Sequence, residues 1–127
     1  MVDLTEFESI SPYTDEQASE ALGKLADHPA VAQASRYFFP EESPDFLKNV
    51  LKQIKTIDQF QVLVMQRFVR WVIDHTAKNF SYDGISNIDT SKKFLALSNH
   101  RDIIMDPAIT QLVLHTNGIP MTEIAVG

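Results

Sequence analysis

Between Asp58 and Lys78 the sequence is apolar around more than half of a helical circumference. Phe60, Val62, Val64, Met65, Phe68, Val69, Trp71, Val72 and Ile73 leave only a narrow polar strip of Arg67, Arg70 and Asp74. A helix with one apolar stripe lies on a surface, whereas a helix this apolar needs cover on several sides. The segment therefore predicts a helical bundle with 58–78 as its central member and Trp71 in the core. Arg70 and Asp74 have the i, i+4 spacing of a helical ion pair. The competing use of such a segment is contact with a membrane, which calls for a broader basic face than this strip supplies.

The residues upstream supply the partners. Thr14 followed by Gln17 has capping-box spacing, and Ala18, Ala21, Leu22 and Leu25 then form one stripe at i, i+3, i+4, i+7. A second helix is expected from Pro29, a good first-turn residue, to Phe39 before Pro40. A third is expected with Ser43 as N-cap and Pro44 at its first position. Its stripe is Leu47, Val50, Leu51 and Ile54, and Lys48, Lys52 and Lys55 form a solvated outer face. His28 and His75 fall near expected helix ends, where imidazoles meet the last carbonyls. Residues 1–80 thus read as a helical N-terminal domain.

From residue 81 the pattern changes. Tyr82 to Ile88 and the apolar run Lys93-Phe94-Leu95-Ala96-Leu97-Ser98 suit short strands. Asp106-Pro107 suits a helix start, with Asp as N-cap and Pro following. That helix carries His115 on its surface and ends near Asn117, with Gly118 as its terminating glycine. Residues 119–126 read as a further strand. The unit is strand, loop, helix, strand, the opening of a parallel α/β sheet. The expected fold is therefore mainly α with a truncated α/β part. A sheet broken off at Gly127 would mark a piece of a longer protein, and its exposed edges predict a homo-dimer or aggregation.

Composition narrows the function. The chain has 127 residues, 44% hydrophobic and 22% charged, which is ordinary for a globular protein. Such a chain buries roughly two-thirds of its unfolded surface, enough for one core. A net charge of −6 argues against nucleic acid as a partner, because phosphate neutralisation needs a basic surface. Without cysteine there is no disulfide, thiolate metal site or cysteine nucleophile. The N-terminus MVDLTEFESI lacks the basic and apolar regions of a signal peptide. No uninterrupted apolar run reaches the ~18 residues of a membrane span. A cytoplasmic location follows, free or peripheral at the inner face of a membrane.

The chemistry lies in Leu97-Ser98-Asn99-His100-Arg101-Asp102-Ile103-Ile104-Met105-Asp106-Pro107. A histidine just past a strand end, with carboxylates following it, is placed where α/β proteins put ligands. A neighbouring carboxylate sets an imidazole's tautomer and stabilises its imidazolium, which is what proton abstraction from an alcohol requires. The bland alternatives are a loop histidine at a strand end, Asp106 as an N-cap only, and Asp102 as a solvated or Arg-paired loop residue. His100, Asp102 and Asp106 also read as a metal-dependent phosphoesterase fragment. That chemistry needs further Asp and His blocks upstream, and three ligands on one loop enclose a metal poorly.

At these residues the sequence resembles the glycerolipid acyltransferase family, which includes glycerol-3-phosphate and 1-acylglycerol-3-phosphate acyltransferases. The family's first motif is a strand ending in Ser-Asn-His, then four residues, then Asp; Ser98-Asn99-His100 matches its start. Gly84-Ile85-Ser86-Asn87-Ile88 stands where the family has a Gly-hydrophobic-x-Asn segment. The resemblance covers residues 82–127. It implies that His100 is a general base acting on a glycerol hydroxyl and that an aspartate orients it. Family spacing would put that aspartate at Met105, so Asp106 is the first choice and Asp102 the second.

The resemblance further implies an acyl-CoA or acyl-carrier-protein donor, a glycerol phosphate or lysophospholipid acceptor, contact with a membrane surface, and no metal or cofactor. Arg101 is the one nearby arginine for a substrate phosphate. The family's Phe/Arg block and Phe-Pro-Glu-Gly stretch are absent, so this chain alone is expected to be inactive. The runner-up reading is a non-enzymatic helical docking or regulatory module.

Overall fold

The computed structural model describes Phe7, residues 10–99 and residues 101–124. These residues form helices and connecting chain, divided between Val64 and Met65 into two compact units.

In the first unit, α1 (Asp15–Leu25) opens with the expected capping box. The Gln17 N–H donates to Thr14 Oγ1 at 3.3 Å, and the Thr14 N–H donates to Gln17 Oε1 at 2.9 Å. α2 (Pro29–Phe38) has His28 as N-cap, with the Ala30 N–H donating to His28 Nδ1 at 3.2 Å. His28 thus serves the start of a helix and not, as its position suggested, the end of one. α3 (Phe46–Gln53) begins two residues later than Ser43-Pro44 predicts. The Ser43 carbonyl is taken up in the preceding turn, where it accepts from the Phe46 N–H at 2.9 Å. α4 (Ile57–Phe60) is capped by Thr56, whose Oγ1 accepts from the Gln59 N–H at 3.1 Å, and runs on into a π-helical stretch, Gln61–Met65.

α1 and α2 both pack on α3. Ala26, Val31, Phe39, Leu47, Leu51, Ile54 and Val64 form one buried cluster. Each large aliphatic side chain in it contributes about 1.5–3 kcal/mol by leaving water. Three polar side chains lock the helices together. Ser35, fully buried, accepts at Oγ from the Leu47 N–H at 3.3 Å. Ser19 donates to the Ile54 carbonyl at 2.8 Å, and Asp15 accepts from the Ile57 N–H at 2.8 Å.

In the second unit, α5 (Gln66–Thr76) packs against α6 (Met105–Thr116). The helix expected over 58–78 is therefore interrupted by the π stretch and ends at Thr76. His75 meets the end of α5 as expected, its Nδ1–H donating to the Trp71 carbonyl at 2.8 Å. The Trp71 ring is half-buried and stacks on His75 at 4.4 Å. α6 buries four consecutive residues, Gln111 to Leu114, so it is covered all round. It ends as the glycine predicts. Gly118 adopts φ 69°, its N–H donates to His115 O, and the Ile119 N–H donates to Leu114 O. This paired closure needs a left-handed residue, which glycine adopts without steric cost.

The α/β expectation is overturned, because no β-strand exists among the described residues. Residues 82–88 hold a short 3-10 turn, Ile85–Asn87, after Gly84 at φ 80°. The run from Lys93 to Ser98 is not a buried strand: Leu95 is 83% exposed and Leu97 88%. Residues 119–124 return along α6 without a ladder, and residues 125–127 lie outside the described residues. There the buried Gln111 side chain stands in for a neighbouring strand. Its Nε2 donates to the Thr122 carbonyl, and its Oε1 accepts from the Thr122 N–H at 3.0 Å. A strand exists only when its peptide groups meet another strand's. α5 and α6 cover each other's apolar faces, and Gln111 takes the Thr122 peptide group, so nothing pairs with the short apolar runs. The sheet edges on which dimer formation was expected are absent from the same residues.

Candidate functional site

The loop that follows His100 is built by two aspartates with different tasks. Asp102 Oδ1 accepts from the Ile104 N–H at 2.9 Å and the Met105 N–H at 2.7 Å. Those are the free donors of a first helical turn, so Asp102 does the capping expected of Asp106. The Asp106 N–H donates to the Asp102 carbonyl at 3.3 Å, which closes the turn. Asp106 is the second residue of α6 and not its N-cap.

One turn on from Asp102, Asp106 reaches backwards. Its Oδ2 accepts from the Arg101 N–H at 2.6 Å and the Asp102 N–H at 2.9 Å. One carboxylate oxygen therefore clamps two successive peptide groups of the loop to the helix start. Charge-assisted bonds of this kind are roughly twice as strong as neutral ones, and the positive end of the helix dipole favours the carboxylate there. Asp106 is half-buried and Asp102 exposed. The Met105 backbone is held by Asp102.

Ser98, Asn99 and Arg101 are exposed, and His100 lies outside the described residues. Arg101 is held through its backbone, which leaves its guanidinium at the surface of the loop. Among the described residues, no three His, Cys, Asp or Glu side chains lie close enough together to hold a metal ion. Among them, too, no helix is long and apolar enough to cross a membrane.

Two features escaped the sequence reading. The capping role of Asp102 was legible in its distance from Met105, but the stronger Asp-Pro signal at 106–107 masked it. Gln111 gave no signal, because a glutamine in an apolar helix shows its partner only after the chain has folded back. Comparison with protein-family models, with curated proteins and with solved structures finds no match.

Proposed function

We propose that the Ser98–Asp106 segment is the first motif of a glycerolipid O-acyltransferase. It would move a fatty acyl group from a CoA or carrier-protein thioester to the hydroxyl of a glycerol phosphate or lysophospholipid. His100 takes the proton of the acceptor hydroxyl as its oxygen attacks the thioester carbonyl. The C–S bond breaks, the new C–O ester bond forms, and the imidazolium returns the proton to the departing sulfur. Asp106 orients His100, and Arg101 offers its exposed guanidinium to the acceptor phosphate. No cofactor enters this chemistry. An acceptor drawn from a membrane goes with a peripheral position at its inner face.

The observation that carries the reading is the double clamp of Asp106 on the Arg101 and Asp102 amides. The carboxylate that the resemblance assigns to the histidine is tied to the peptide group next to it in the chain. Asp102, the competing partner, spends Oδ1 on the helix start.

The test is thioester cleavage by the full-length gene product, with palmitoyl-CoA and glycerol 3-phosphate or lysophosphatidate. Loss of a general base costs about 100- to 10,000-fold, which is the effect expected of His100→Ala. Asp106→Ala should be crippled, whereas Asp102→Asn, which keeps a capping oxygen, should stay near wild type. Full activity in His100→Ala would sink the proposal.

A second reading, a helical docking module without catalysis, is favoured by one observation. The residues before the motif are exposed and outside any sheet. Wild-type inactivity toward every thioester and acceptor pair would favour it.

A further inference from the structure

The second unit holds a cavity of about 180 Å³ at the end of α6 away from Asp106. Its floor is Leu112 and Val113 of α6, both buried, with Ile73 of α5. Phe80 and Tyr82 make one wall, their ring centroids 5.9 Å apart. That wall is fixed from behind. Asn117 Nδ2 donates to the Tyr82 hydroxyl at 3.1 Å and to the Val113 carbonyl at 2.8 Å. Yet the two rings stay 43% and 47% exposed, well short of core burial.

The rim carries two opposite charges, Arg70 and Asp74, one turn apart on α5 and both exposed. The ion pair that their spacing invites does not form among the described residues. With the cation on the N-terminal side, the pair is in the weaker of its two orientations. An apolar floor and a fixed aromatic wall therefore lie beneath one guanidinium and one carboxylate that are available to a ligand.

We propose that this cavity binds a small zwitterion with an apolar side chain, of the free α-amino acid class. Its carboxylate would meet Arg70, its ammonium Asp74, and its side chain the Phe80–Tyr82 wall. A simple anion would lie against Asp74, and an uncharged ligand would strip water from two charges without replacing it. A zwitterion satisfies both. Side chains at i, i+4 stand about 5–6 Å apart at Cβ, which suits a head whose two charges are separated by a single carbon. The volume is more than ten times the ~10–15 Å³ that one water molecule needs on the same measure, room for a branched aliphatic side chain. The inference stands apart from the acyltransferase reading.

The experiment is calorimetric titration of the chain with L-leucine, isocaproate (its carboxylate alone) and isoamylamine (its ammonium alone). Leucine should bind in the millimolar range or tighter, and each single-charge analogue about tenfold more weakly. Arg70→Gln and Asp74→Asn should each weaken leucine about tenfold while keeping the wild-type circular dichroism spectrum. Three results would overturn the proposal: no heat of binding with leucine, leucine binding indifferent to both substitutions, or isocaproate binding as well as leucine. The last would make this an anion site.

Discussion

The two units of this chain are both helical, yet they are held together differently. In the first, helices α1 to α3 close around a single apolar cluster, and each junction is tied by a side chain that meets a backbone group on another element. In the second, two helices pack on each other, a buried glutamine fastens the returning chain, and a long connection leaves Leu95, Leu97, Ile103 and Ile104 mostly exposed. The first buries the larger apolar cluster, whereas the second carries the 93–104 connection on a light framework. Few buried contacts and exposed backbone are the conditions under which a segment opens at low cost.

The largest effects should separate the two units most sharply. Leu51→Ala or Ile54→Ala removes a buried side chain of the first unit and should cost about 2–5 kcal/mol in urea unfolding. Leu97→Ala should stay within about 0.5 kcal/mol, because that side chain is already in water. A comparable loss from Leu97→Ala would erase the contrast and place the 93–99 segment in a core.

Next come the polar fasteners. Ser35→Ala leaves the buried Leu47 N–H without its acceptor, and Gln111→Ala strands the Thr122 peptide group; each should cost about 1–3 kcal/mol. Hydrogen exchange would sharpen the comparison. Ser35→Ala should speed exchange at the start of α3, and Gln111→Ala at residues 119–124.

Caps are smaller. Thr14→Ala should cost about 1 kcal/mol. Asp102→Ala should cost about the same, and Asp102→Asn only a few tenths, since asparagine caps about as well.

The smallest effect is electrostatic and belongs to the first unit. Lys52, and then Lys48, donate to Asp27 and hold its carboxyl below its ordinary value of 3.8. A carboxyl lowered in the folded state adds stability that is present above its unfolded value and is lost as pH falls through the folded one. Asp27→Asn should therefore flatten the acid limb of the stability curve below about pH 4 and leave it unchanged above neutrality apart from a small offset. The group is exposed, so salt should shrink the effect. An unchanged acid limb in Asp27→Asn would show that these lysines do not hold Asp27 in solution.

Where interactions are local, the sequence was legible. The Thr14–Gln17 box, Pro29 at a helix start, the Leu47–Leu51–Ile54 stripe and the Gly118 terminus all involve partners within a few residues. The candidate site was half legible. Ser98 to Asp106 stood out as a chemical pattern, but the cap expected of Asp106 is supplied by Asp102, because both can cap and only backbone geometry chooses between them.

By itself the sequence determined where the helices lie and those ends that capping, proline or glycine fix through bonds of short range. Only the tertiary structure decided the fate of the short apolar runs. Lys93 to Ser98 is strand-like in composition, but a strand is a relation between two segments, and the partner was not in the local pattern. A glutamine on α6 took the peptide group of the returning chain, and the two helices covered each other. Competition between distant segments for the same surfaces settled what local periodicity left open.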